Sequence, residues 1–185
     1  MKRWISIFGA VVLLLPMRVY AEGNIGNAER LQEIKDRRSI VVTSEQRDIV
    51  IQQCQAGKSK IATIQAANES AVKKRLTVYS GIQKEVKAIE LRMTKQGADA
   101  SEVDLFIGKL QQDLDSFSEQ ARYSQQLAED ITTIDCVATP ELYVAATEEY
   151  KQARQSVYTS ANELKNTIMT AQQQTFKPLV DRLRI

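Results

Sequence analysis

Cys54 and Cys136 are the cysteines of a 185-residue chain, and as thiols they can act as nucleophiles, metal ligands or the two halves of a disulfide. The chain has no histidine, which removes the commonest general base, the commonest metal ligand and the side chain that titrates near neutrality. Di-iron carboxylate bundles need Glu-x-x-His pairs and zincins need His-Glu-x-x-His, so neither site is available. Two cysteines without further ligands make a poor zinc site, because structural zinc takes four. Ala56-Gly57-Lys58-Ser59 has the end of a phosphate-binding loop, but that loop requires a second glycine where the chain has Gln52, and no strand precedes it. Ser70-Ala71-Val72-Lys73 has the Ser-x-x-Lys spacing in which a lysine eases deprotonation of a serine, yet the companion Ser-Asp-Asn and Lys-Thr-Gly elements are missing. These residues predict no catalytic, cofactor-binding or metal site, hence a non-enzyme without a cofactor.

What positions the cysteines is helix. Three prolines and seven glycines occur in the whole chain, and Gln, Ala, Lys, Glu and Leu, which lose little on entering a helix, dominate it. Val103, Ile107, Leu110, Leu114, Phe117, Ala121, Ser124, Ala128 and Ile131 step by four and three in strict alternation, a heptad seam. A second stripe runs Ile61, Ile64, Asn68, Ala71, Arg75, Val78, Ile82, Val86, Ile89 and Met93, widened by Val72, Leu76 and Tyr79. After Pro140 a third follows: Ala146, Tyr150, Ala153, Val157, Ser160, Leu164, Ile168 and Ala171. Three long amphipathic helices cannot be buried alone and should pack on one another at the shallow angles of bundles and coiled coils. Asn68 and Arg75 interrupt the second stripe with polar groups, which either fix register or snorkel to the edge.

Breaks separate the helices. Gly97 can stop the first long helix and Asp99 or Ser101 can cap the next. Thr139 can cap the third, with Pro140 at its first position. Upstream, Ala28 to Arg38 reads as a charged helical start, and the β-branched Ile40-Val41-Val42-Thr43 weakens any continuation; a separate short helix and one unbroken first helix both fit. The expected organisation is a signal peptide over 1–21, a charged helical segment over 22–43, and a three-helix region over 44–185 with helices near 44–96, 102–134 and 140–185.

The signal peptide rests on a basic start at Lys2-Arg3, an apolar run from Ile5 to Leu15, and small or branched residues at Val19 and Ala21 that place cleavage before Glu22. The run is short for a bilayer, which needs about 20 apolar residues, though an uncleaved anchor is the alternative. Export to the periplasm, the cell surface or the medium favours a disulfide between two cysteines. Helix geometry allows it. Cys54 lies about 63 Å from Gln96 along a helix, and Cys136 reaches about 58 Å from Glu102 if its last few residues are extended, so both arrive at one level. An intermolecular bond and two free thiols are the other outcomes.

Removing Lys2, Arg3 and Arg18 leaves 22 basic residues against 23 acidic, so nothing points to nucleic acid. Charge-rich stretches such as Glu29 to Arg38 and Glu45 to Asp48 read as solvated helix faces. The basic amphipathic end, with Phe176, Lys177, Leu179, Arg182, Leu183 and Arg184, either docks on an anionic membrane surface or a protein, or packs Phe176, Leu179 and Leu183 on the first long helix. Pro178 should bend the third helix there.

A cysteine followed by Ala56, Gly57, Lys60 and Ile61, a Gly-x-Asp turn at Gly97 and Asp99, the run Cys136-x-Ala-x-Pro-x-x-Tyr143, Ala153-Arg154 and the closing Lys177-Pro178-Leu179 occur together in this chain. In these residues it resembles, over about 50–185, a group of exported helical proteins of candidate phyla radiation (Saccharibacteria-like) bacteria. That resemblance implies the disulfide and the three-helix layout and no activity. The expectation is an all-α protein, an elongated antiparallel three-helix bundle or coiled-coil hairpin stapled by a disulfide. Its expected role is a structural or protein-interaction module of the cell envelope with an unidentified protein partner. A periplasmic client-binding chaperone and an accessory subunit of a pilus or secretion system are the alternatives.

Overall fold

The computed structural model describes residues 26–183, with the side chains of Arg182 and Leu183 excluded; the signal segment 1–21 and Arg184 lie outside them. The described residues are all-α: α1 (Asn27–Arg38), α2 (Ser44–Lys95), α3 (Ser101–Thr133), α4 (Pro140–Ala171), one π-helical turn (Gln172–Phe176) and α5 (Lys177–Leu183).

The charged start is a helix of its own. α1 stops at Ser39, which takes the left-handed conformation (φ 50°) and donates its N–H to the carbonyls of Lys35 and Asp36, a closure that uses otherwise orphaned groups. The β-branched linker follows, and α2 restarts at Ser44 behind Thr43, whose N–H is accepted by Oε1 of Gln46 at 3.3 Å. This is the return bond of a capping box.

α2 ends on Gly97 at φ 70°. Ala98 N–H reaches the Met93 carbonyl at 2.9 Å and Gly97 N–H reaches Thr94 at 3.1 Å, the pair of bonds that needs a left-handed residue at that position. Asp99 accepts the Ser101 N–H at 3.0 Å and starts α3. At the next break Asp135 Oδ1 accepts the N–H groups of Val137 and Ala138 at 2.9 and 3.0 Å. Those two backbone bonds hold the Asp135 carboxyl below its ordinary pKa. Pro140 occupies the first turn of α4 as expected, but the Thr139 hydroxyl donates back to the Asp135 carbonyl instead of capping.

The proline near the end acts one turn earlier than a simple bend. Pro178 offers no N–H to the Gln174 carbonyl, and its ring crowds that oxygen. The turn ahead of it widens so that Lys177 N–H bonds to Gln172, as π-turns do where an i−4 bond is lost.

α3 is the central helix. Each of the nine seam residues from Val103 to Ile131 is buried, and Phe106, Leu127, Asp113 and Asp130 are buried beside them. α2, although 52 residues long, buries only Cys54, Ile61 and Val86. Its contacts with α3 run in opposite order along the two chains, with Gln65 bonded to Glu129 and Gln83 to Gln111. α4 also runs against α3, through Tyr123 to Glu149 and Thr167 to Asp113. The core is divided in two. One part gathers Leu31, Ile34, Cys54, Ile131, Cys136 and Tyr143 around the disulfide; the other gathers Val86, Val103, Leu110, Phe117 and Leu164 towards the α2–α3 turn.

Candidate functional site: the disulfide end and the cleft between the cores

Cys54 and Cys136 are bonded, with Cα atoms 5.7 Å apart and 82 residues between them. That distance lies within the ordinary range for a disulfide. The bond joins α2, three turns from its start, to the corner between α3 and α4. Gly57 and Tyr143 complete the same junction. A Cβ added at Gly57 would lie 1.9 Å from the Tyr143 hydroxyl oxygen and 3.0 Å from Cζ. The missing side chain lets α2 and α4 touch. Lys58 stretches across to donate to the Ile134 carbonyl at 2.8 Å, and Arg47 donates to Val137 at 2.6 Å. The Gly57-Lys58 pair of the loop-like motif therefore has an architectural job. Ser70 and Lys73 of the other motif are both solvent-exposed on α2.

α1 docks by charge as well as by Leu31 and Ile34, so its cations are not a solvated face. Arg30 grips Asp130 with two bonds of 2.5 and 2.7 Å, and the Asp130 side chain is only 4 % exposed. Its hydrogen bond to Asp130 raises the Arg30 pKa. Glu149 on α4 accepts from Arg38 at 2.8 and 3.0 Å and from the Tyr123 hydroxyl at 2.8 Å, with Arg37 at 3.2 Å. Burial pushes the Glu149 carboxyl up, and the bonds from Arg38 and Tyr123 with the two arginine charges outweigh it, leaving the pKa lowered. The Tyr123 hydroxyl is pushed up by burial and by the same carboxylate. Lys35 reaches Glu141 at 3.4 Å. The sequence gives little hint of these pairs, since their partners stand about a hundred residues away.

Between the two cores α2 parts from α4, and α3 floors a cleft of about 480 Å³. Small side chains on the α3 seam, Ala121, Ser124 and Ala128, leave the space. Asn68 and Arg75, the polar interruptions of the α2 stripe, line one wall, and Tyr150 and Arg154 line the other. The Arg154 guanidinium lies 5.8 Å from the Tyr150 ring centroid, within cation–π range. Tyr150 is 5 % exposed, and its hydroxyl is buried without a hydrogen-bond partner. Burial raises its pKa; Arg154 and Asn68 oppose that more weakly, Asn68 from outside hydrogen-bonding geometry. The mid-helix seam of α2 keeps Ile82 and the widening residues Val72, Leu76 and Tyr79 packed inward but departs from the expected stripe at Ala71, Arg75 and Val78, which are exposed.

At the carboxyl end, Phe176 meets Phe106 of α3 edge to face at 5.5 Å, and Leu179 is half-buried on the same core. Lys177 is exposed. Among the described residues no group of three or more His, Cys, Asp or Glu is placed to hold a metal ion, and no helix is long and apolar enough to cross a membrane. No protein-family model, curated protein or solved structure matches the chain.

Proposed function

We propose that the chain is an exported, non-enzymatic helical module of the cell envelope that holds a partner protein, built as an elongated antiparallel bundle of α2, α3 and α4 with α1 docked at the disulfide end. The observation that carries this reading is the asymmetry of α2. At about 78 Å it is the longest helix described, yet Ile49, Val78 and Leu91, spaced along its length, remain 58, 58 and 52 % exposed, apolar side chains that its own core leaves uncovered. The disulfide supports a location outside the reducing cytoplasm. Photo-crosslinking in the native cell separates a partner from a sticky surface. A benzophenone side chain at Val78 or Leu91 gives one dominant adduct, while the same probe at the exposed Lys151 of α4 does not. Equal or absent adducts at all three sites would refute the reading.

The same exposed side chains support a second reading, capture of unfolded clients. Under it the protein suppresses heat aggregation of a model client in vitro, and Val78→Glu with Leu91→Glu abolishes the effect without lowering the melting temperature. Full aggregation in the presence of excess wild-type protein would exclude it.

A further inference from the structure

We propose that the cleft between α2 and α4 binds an amphipathic monoanion, a long-chain carboxylate whose apolar body lies on the small-residue floor and whose head meets Arg75 and Arg154. The cleft sits where the two cores part, so the fold builds it rather than leaving a scallop on the surface. Its volume of about 480 Å³ falls within the range of about 300–1,000 Å³ in which ligand clefts occur. Val72, Leu76, Ala121, Ala128 and Val157 give it apolar walls.

Charge selects the head. Three arginines line the cleft against one carboxylate, Glu69. Arg75 makes no ion pair among the described residues, and Arg154 is held only over the Tyr150 ring. A guanidinium has a planar fork of donors that matches a carboxylate with two parallel bonds. Tyr150 adds a second, independent pointer: it lines the cleft and its hydroxyl is a buried donor without a hydrogen-bond partner, and such groups cost free energy until something accepts from them. Glu69 on the rim opposes a polyanion, which favours a single negative charge over a nucleotide or a phosphorylated peptide. An aromatic carboxylate shares the head chemistry, and the length of the apolar body separates the two.

The test is calorimetric titration of the oxidised full-length protein with dodecanoate below its micelle concentration, alongside dodecanol and benzoate. Saturable one-site binding of dodecanoate is expected, with dodecanol and benzoate each at least tenfold weaker. Arg75→Gln with Arg154→Gln weakens dodecanoate at least tenfold and leaves dodecanol unchanged. Ala121→Leu fills the floor and abolishes binding, while circular dichroism and an intact disulfide confirm that it folds. Equal affinity for dodecanol and dodecanoate overturns the assignment of the head, and tight benzoate overturns that of the body. Absent saturation, or binding that survives Ala121→Leu and so resides elsewhere on the chain, overturns the site.

Discussion

Gly57→Ala isolates the junction that lets α2 lie against α4. In most helix interiors this change stabilises, because glycine costs about 1 kcal/mol relative to alanine. Here the new methyl carbon would lie 1.9 Å from the Tyr143 hydroxyl oxygen and 3.0 Å from its ring carbon Cζ. Tyr143 is 9 % exposed and packed in the core around the disulfide, so the ring cannot swing aside freely. The Cys54–Cys136 bond one turn away limits retreat of α2. Overpacking of this kind costs about 1–3 kcal/mol or more, against which the propensity gain of about 1 kcal/mol is set. The expected outcome is a net loss of up to about 2 kcal/mol in urea unfolding followed by circular dichroism, instead of the usual gain. Tyr143→Phe removes the 1.9 Å contact and leaves the 3.0 Å one. In that background Gly57→Ala should cost at least about 1 kcal/mol less, a coupling that a double-mutant cycle reads directly. If Gly57→Ala stabilises the protein equally in both backgrounds, the close approach of the two helices is wrong.

Three further outcomes follow from the same end of the molecule. Replacing both cysteines by alanine opens a loop of 82 residues, for which the chain-entropy estimate is a loss of roughly 4–5 kcal/mol; a urea-derived difference below about 1 kcal/mol contradicts it. Arg30→Met strands Asp130, whose side chain is 4 % exposed, and should cost about 3–5 kcal/mol. Asp130→Asn instead leaves an arginine that is 18 % exposed and can reach water, so equal losses for the two variants count against the burial argument. The lowered pKa of Glu149 contributes stability that is complete above its unfolded value of about 4.3 and is lost as pH falls through the lower folded value. Thermal unfolding between pH 5 and pH 3 should therefore decline less steeply in Glu149→Gln than in the wild type, and parallel declines would show that Glu149 is not responsible.

Local signals were legible where one neighbour in sequence decides the outcome. Gly97 ends α2 because only a residue tolerant of φ 70° closes those two bonds, and Pro140 begins α4 because its missing N–H is not needed there. The α3 seam was also legible, since α3 is covered by both α2 and α4 and every apolar step on its stripe meets something. The α2 stripe misled for the opposite reason. Periodicity records an apolar face and not which part of it is covered; in mid-course Val72, Leu76 and Tyr79 pack on the core and Val78 is left in solvent. Long-range pairs were invisible. Nothing local to Arg30 announces Asp130, and nothing local to Gly57 announces Tyr143. The polar interruptions at Asn68 and Arg75 were visible as anomalies, and they lie on the cleft wall.

The width of that cleft is set at its ends. α2 is fixed at one end by the Gly97 turn and at the other by Cys54, Gly57 and Lys58. Between them the residues that α3 presents to the gap are Ala121, Ser124 and Ala128, too small to fill the space that the ends impose. Closing the gap would press Arg75 and Asn68 onto Tyr150 and the α3 floor, and a guanidinium taken out of water without a carboxylate costs several kcal/mol. Leaving it open forgoes the burial of a few apolar walls, at about 25 cal/mol per Å², but keeps the guanidinium in water. The desolvation of Arg75 thus favours the open cleft. Substituting Arg75 and Asn68 by leucine would remove the term that keeps it open and let the two cores merge into one.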